Sequence, residues 1–289
     1  LLGYSVELVG KPIEIFNLSD RITISSMATE MGAIALFIPP SEKIIQFSEE
    51  RSGKKVSPVF AAEDANYEQI FEFNLSEIKP QISMPGKPHD VKNVDEVKGV
   101  KIDSSFIGSC TNGRIEDMRI VANILKGRKL APGVVLKIVP STDEVWRQCL
   151  DEGIIQIFKR AGVLVGNAGC AGCAAGQIGQ NGPGEVTVST GNRNFAGKQG
   201  KGDVYLASPA TAAASAIAGH ITTEDSIPDV PSLFIQNEYK ISKKEGFEKS
   251  GEAPNSIEGK VWIIEEDNID TDMIYHNQHL AVTEISEMG

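Results

Sequence analysis

Cys170-Ala171-Gly172-Cys173 stands in a run of glycine, alanine and asparagine, and Cys110 lies far upstream in Gly108-Ser109-Cys110-Thr111-Asn112-Gly113. Thiolates are soft ligands that select zinc, copper(I) or iron–sulfur clusters. A redox dithiol needs only the CxxC pair, normally at the opening of a helix that follows a strand. Gly172 and Gly176 speak against a helix there. A structural zinc site wants four closed ligands, and the fourth cysteine, Cys149, falls inside a predicted helix where it reads as a small core residue. Three cysteines without a fourth also fit an iron–sulfur cluster with one iron left open to substrate. The small residues around Cys170 would let backbone N–H groups approach the cluster sulfurs. On residue types alone, redox pair, zinc site, buried bystanders and cluster all stay open.

These residues must be positioned by regular elements, and from residue 100 onward the pattern supplies them. Strands are predicted at 101–107, 134–139, 163–165, 185–189 and 204–207. Between them run helical stretches: one carrying Ile115, Met118, Val121 and Leu125 on one face, and one opening at Ser141-Thr142-Asp143-Glu144, interrupted at Gly153 and resuming to Gly162. An alanine-rich helix follows Ser208-Pro209, with serine as N-cap and proline at the first helical position, and stops at Gly219. Such alternation predicts an α/β domain with a largely parallel, buried sheet. Open sheets of this kind bind ligands beyond the carboxyl ends of their strands, and Cys110 and Cys170 both fall in strand-end turns. Upstream, a helix is expected over 19–37, closed by Pro39-Pro40, with Met27, Met31 and Ile34 at helical spacing. Two short strands are expected between 50 and 100, where Pro85, Pro88 and the charged run 90–98 look like a connection between domains.

The chain has 289 residues, ordinary globular composition and a net charge of −11. That length suggests about two domains of ~150 residues. The negative balance argues against a nucleic-acid scaffold, which needs a basic footprint, and any anionic substrate must be drawn in by local basic groups. No apolar run approaches the ~20 residues of a membrane span, and the opening residues lack the design of a signal peptide. Four cysteines make no disulfide framework for a chain of this size. The expected compartment is the cytoplasm. Residues 236–258 are rich in Lys, Glu, Ser and Gly and read as a linker, and a new strand is expected over 260–264.

Four motifs in fixed order carry a resemblance. They are Gly108–Arg114, Gly169-Cys170-Ala171-Gly172-Cys173, Asn192-Arg193-Asn194-Phe195 and Ser208-Pro209-Ala210. Together they resemble the aconitase / isopropylmalate isomerase / homoaconitase superfamily over roughly residues 1–232. The run from Lys260, with Asp-Asn-Ile-Asp-Thr-Asp, resembles the opening of that family's mobile swivel domain. The resemblance implies three-layer α/β/α domains with mostly parallel sheets: a second family domain over 1–98, a third with the cysteines over 99–235, and an incomplete swivel stub over 259–289. It implies a 4Fe–4S cluster held by Cys110, Cys170 and Cys173, though one expected to be labile in air and so absent from the isolated fragment. Implied too are a hydroxy di- or tricarboxylate substrate and hydro-lyase chemistry.

By the same resemblance Arg193 binds a substrate carboxylate, a task that suits its planar fork. Glu30 matches an active-site acid, and Asn112, Asn192 and Ser26 line the cluster environment. Two positions depart from the family pattern: Ser26 stands where asparagine is usual, and Lys198 where an arginine commonly binds substrate, which keeps the charge but not the paired donors. The resemblance further implies a fragment, expected to be inactive by itself, whose partners are a first domain and the remainder of the swivel domain. His276 and His279, three apart, are weak ligand candidates. The alternative is a non-enzymatic zinc protein, or a regulatory apo-form that binds RNA.

Overall fold

The computed structural model describes residues 1–230, 256, 258–260 and 263. The chain divides between Ile235 and Gln236 into two units, and every element named below belongs to the first. The expected linker, the swivel stub, His276 and His279 lie outside the described residues, apart from isolated positions such as Lys260 and Ile263.

In chain order the elements are β1 (Ser5–Glu7), α1 (Lys11–Ile15), α2 (Leu18–Ser26), β2 (Ala35–Phe37), α3 (Glu42–Ser52), β3 (Gln81–Ser83), β4 (Val91–Asn93), α4 (Val94–Val97) and β5 (Ser104–Ile107). They continue with α5 (Ile115–Leu125), β6 (Val135–Ile138), α6 (Asp143–Asp151), α7 (Ile154–Ala161), β7 (Leu164–Val165), β8 (Val186–Ser189), β9 (Asp203–Ala207) and α8 (Pro209–Ala218).

The N-terminal region departs from the sequence reading. Helix α2 starts at Leu18, one residue earlier than expected, because Asn17 caps it: the Asn17 side chain accepts from the Asp20 N–H, and the Asp20 carboxylate accepts from the Asn17 N–H. The helix ends at Ser26 instead of running to 37. Its supposed apolar stripe finds no cover, for Met31 and Ile34 are exposed. Gly32 turns the chain with a left-handed backbone (φ 73°), so that β2 can pair in parallel with β1. The charged run expected as a connection at 90–98 is instead β4 and α4. Both β3 and β4 join the main sheet, β3 antiparallel to β9.

That sheet has seven strands in the order β4-β3-β9-β8-β5-β6-β7, and from β9 to β7 all pairs are parallel. Strand alternation gives it two unlike faces. Ile107, Leu136, Ile138 and Val188 point to one side and form a single apolar core with Met118 and Val121 of α5, Cys149 of α6, Phe158 of α7 and Ala212, Ala213 and Ala216 of α8. Alanines on α8 let that helix lie close to β5, where Ser105 donates to the Ala212 carbonyl at 3.1 Å. Helices α6 and α7 break and restart at Gly153 in the left-handed region, and α8 is capped by Ser208 as expected.

The other face is polar. Ser104, Phe106, Lys137, Thr187 and Ser189 point to it and are covered by the irregular segment from 166 to 202. Ser104 and Thr187 hydrogen-bond to each other at 2.8 Å, and Asn181 donates to Thr187 at 3.1 Å. The apolar contact on this side is small: Phe106, fully buried, against Val139, Ala171 and Ile178. The fold is α/β with a mostly parallel sheet. Among the described residues, the layer opposite α5, α7 and α8 is this loop segment.

Candidate functional site

The path β5-β6-β7 moves outward on one side of β5, and the chain then returns to lay β8 and β9 on the other. The strand order therefore reverses between β5 and β8, and open α/β sheets bind ligands at the carboxyl ends of the strands beside such a reversal. Cys110 follows β5, Asn192 and Arg193 follow β8, and the 170–173 loop follows β7.

The turns after β5 and β8 are stitched together. Thr190 Oγ1 accepts from the Gly108 N–H and donates to the Gly108 carbonyl, both at 2.9 Å. Asn112 Nδ2 donates to the Thr190 carbonyl at 2.6 Å, and Thr111 Oγ1 donates to Asn192 Oδ1 at 2.5 Å. From α2, Thr23 Oγ1 donates to Asn112 Oδ1 at 3.1 Å, so the N-terminal region is tied to the cysteine turn. Gly108 is required by close approach: a Cβ there would lie 2.7 Å from the Val139 carbonyl oxygen.

Two non-glycine residues among those described have positive φ, Ser109 (87°) and Ala171 (58°). Each directly adjoins a candidate ligand, Cys110 or Cys170. Such conformations cost on the order of 1–3 kcal/mol and persist only where the surroundings enforce them.

The three sulfurs converge on Cys170. Its partial burial opposes ionisation, but hydrogen bonds from the Cys173 and Cys110 thiols and from the Cys110 and Gly172 N–H groups outweigh that and hold it below the usual thiol range. Burial and the neighbouring Cys170 push Cys173 up to about 11 against the pull of Lys198, and push Cys110 up as well. Cys149 stands apart in the helix-side core, fully buried, its thiol pushed up to about 11 by burial and by Glu152. Among the described residues no group of three or more His, Cys, Asp or Glu side chains could hold a metal ion. A structural zinc wants four closed ligands, and Cys149 lies in the helix-side core; three soft thiolates without a fourth suit an iron–sulfur cluster with one iron left open.

Arg193 pairs through Nε with Glu30; the carboxylate is largely buried and the guanidinium is not. This contact joins residues 163 apart in sequence and brings two expected site residues together. Lys198 Nζ donates to the Cys173 carbonyl at 3.2 Å, tying the basic group to the ligand loop. Ser26 Oγ turns back to the Thr23 carbonyl at 2.9 Å and makes no bond to the cysteine turn. The residues that sequence reasoning missed are Thr23, Thr111, Thr190 and Gln199. The run of hydroxyl residues after β5 and β8 was the available signal for Thr111 and Thr190.

A family model described as the Aconitase family (aconitate hydratase) matches residues 1–99 and 91–219. A probable 3-isopropylmalate dehydratase large subunit of Methanothermobacter thermautotrophicus is 44% identical over 223 residues, 76% of this chain and 53% of that protein. The 3-isopropylmalate dehydratase large subunit of Halothermothrix orenii is 40% identical over 225 residues, 77% of this chain and 54% of the relative. That of Lachnoclostridium phytofermentans is 44% identical over 220 residues, covering 75% and 52%. The chain spans about half the length of the curated relatives it matches. No helix among the described residues is long and apolar enough to cross a membrane. By the extent of the family match and of these identities, this chain belongs to the aconitase family.

Proposed function

We propose that this chain is the cluster-holding part of a hydro-lyase that dehydrates and rehydrates a small hydroxy di- or tricarboxylic acid, with 3-isopropylmalate the first substrate to test. The observation that carries the reading is the hydrogen bonding of the Cys110 turn to the Thr190–Asn192 turn at the carboxyl ends of β5 and β8, with Arg193 on that second turn and Lys198 Nζ bonded to the Cys173 carbonyl. Cys110, Cys170 and Cys173 would hold a 4Fe–4S cluster. When bound, the cluster supplies an open iron that acts as a Lewis acid toward a hydroxyl and carboxylate.

The chain's own residues provide the rest of the local environment. Among the described residues the Arg193 fork is held by Glu30 at Nε, so Glu30 orients the fork from behind and its terminal nitrogens would take a substrate carboxylate. Charge that develops on that carboxylate as the adjacent C–H proton leaves is stabilised by the positive groups Arg193 and Lys198. Asn112 and Asn192 fix the turn that carries Cys110, and Ser26 caps back onto the Thr23 carbonyl at the end of α2. Zinc is disfavoured because a closed structural site wants four ligands and Cys149 lies in the helix-side core, and RNA by the net charge of −11.

Turnover is proposed to need further protein: the small-subunit partner that the name of the relatives implies, and the parts of those relatives outside the matched half. The cytoplasm is the proposed compartment, consistent with the free thiols. The test is a coupled one. The chain, supplied with iron and sulfide without oxygen, is assayed for loss of the unsaturated acid, alone and inside a full-length large subunit paired with its small subunit. Hydration only in the assembled protein supports the proposal. No hydration in an assembled protein that holds its cluster would contradict it.

A further inference from the structure

Beneath the 170–173 loop lies a buried polar bridge that belongs to none of the ligand motifs. Gln199 is 3% exposed. Its Oε1 accepts from Ser189 Oγ, on the last residue of β8, at 2.7 Å, and its Nε2 donates to the Gly179 carbonyl at 2.9 Å. The Gly179 N–H then donates to the Ala171 carbonyl at 2.8 Å. A second line runs beside the first. Gln180 Nε2 donates to the Gly172 carbonyl at 2.8 Å, while the Gln180 carbonyl accepts from Lys137 Nζ, on β6, at 2.8 Å.

Both carbonyls between Cys170 and Cys173 are thus fixed onto the sheet by side-chain amides or through them. The loop lies directly on this support: a Cβ on Gly179 would sit 2.5 Å from the Ala171 oxygen, and one on Gly172 would sit 3.3 Å from the Phe106 ring and 3.6 Å from Gln199 Cδ. Ala171 is left-handed, a state that a residue with a Cβ leaves unless its surroundings hold it. An amide suits the task because it accepts on one side and donates on the other; glutamate cannot donate to Gly179, and methionine fills the space with neither group.

We infer that Gln199, with Gln180 as a second strut, is a positioning residue that holds the 170–173 loop in its ligating shape. The inference takes the ligand role of Cys170 and Cys173 from the proposal above, but the strut is a property of the loop itself. Outer-shell partners of this kind orient ligands, and their loss commonly weakens metal binding about 10- to 100-fold.

The test uses Gln199→Met and Gln199→Glu in the full chain, read by amide hydrogen exchange, thermal unfolding and iron release. Both variants should unfold cooperatively and keep wild-type exchange in β5 and α5. Exchange over 170–180 should accelerate at least about tenfold, and a ferrous chelator should strip iron from the reconstituted variants about 10- to 100-fold faster than from wild type. Wild-type exchange over 170–180 in a folded Gln199→Met would overturn the inference. If Gln199→Met does not fold, Gln180→Met at its half-buried site is judged by the same criterion. Failure of the wild-type chain to take up iron and sulfide would instead overturn the cluster reading, while exchange in the variants still decides the strut.

Discussion

The two faces of the seven-stranded sheet use the same backbone for opposite ends. On the helix side, Ile107, Leu136, Ile138 and Val188 meet α5, α7 and α8 in one apolar core. On the loop side, Ser104, Thr187, Ser189 and Gln199 form hydrogen-bonded pairs under a segment without regular structure. A cysteine on each side shows the consequence. Cys149, in the core, is fully buried and its thiol is pushed up to about 11, which makes it inert at neutral pH. Cys170, on the loop side, is held below the usual thiol range although partly buried, while Cys110 and Cys173 beside it are pushed up, in part by Cys170 itself. Apolar packing gives one face stability. Polar packing gives the other a loop held in a conformation that it would not choose alone.

The largest effect that can break this comparison comes from the cysteines. Cys110→Ser, Cys170→Ser or Cys173→Ser should each abolish stable uptake of iron and sulfide, measured by metal analysis after anaerobic reconstitution. Cys149→Ser should leave uptake intact but lower stability by about 1–3 kcal/mol, because a hydroxyl there is buried without a partner. Loss of iron in Cys149→Ser would join the two faces functionally and break the distinction.

Two phenylalanines sharpen it next. Phe106 and Phe158 are both fully buried, one under the cysteine loop and one in the helix-side core. Replacement of either by alanine should cost about 3–5 kcal/mol in denaturant unfolding. Only Phe106→Ala should also speed iron release, since Phe106 lies against Ala171 and beneath Gly172.

Arg193→Lys keeps the charge but loses the paired donors of the fork. In the assembled enzyme its kcat/KM should fall by an amount on the order of 2–4 kcal/mol in transition-state stabilisation, with iron content unchanged. An unchanged kcat/KM would remove Arg193 from the substrate site.

The smallest effect is a pH dependence. Asp117, in the first turn of α5, has its carboxyl raised to about 6, chiefly by burial and further by Glu116 and Asp20, against the Arg114 N–H that it accepts. Because the folded value lies above the unfolded one near 3.8, the folded chain binds more protons between about pH 4 and 6. Stability must therefore fall as pH rises through that window. Asp117→Asn keeps an acceptor for the Arg114 N–H and should flatten the fall, raising stability at pH 7 by about 1–2 kcal/mol. Unfolding midpoints at pH 4.5 and 7 check it.

The helix-side face was largely legible in the sequence, because each of its elements carries its own local signal. Ser208-Pro209 opens α8, Gly153 divides α6 from α7, and the apolar spacing of α5 marks its buried side. The helix expected over 19–37 failed where local spacing met tertiary pairing: β2 joins β1, and the stripe of Met31 and Ile34 has no cover. The cysteines were visible as a constellation through four ordered motifs. Gln199 and Gln180 were not, since a supporting amide in a glycine-rich loop has no period and no fixed distance from the ligands it holds. Glu30 was visible as a residue, but its partner Arg193 lies far along the chain and only the fold brings them together.

The central claim, that the polar face holds a cluster, is tested most directly by offering the chain iron, sulfide and zinc together without oxygen and analysing what it keeps. The account predicts iron and sulfide retained in equal amounts, with broad charge-transfer absorption, lost together in Cys170→Ser and retained in Cys149→Ser. Zinc retained without sulfide, bound through the same three cysteines, would contradict it.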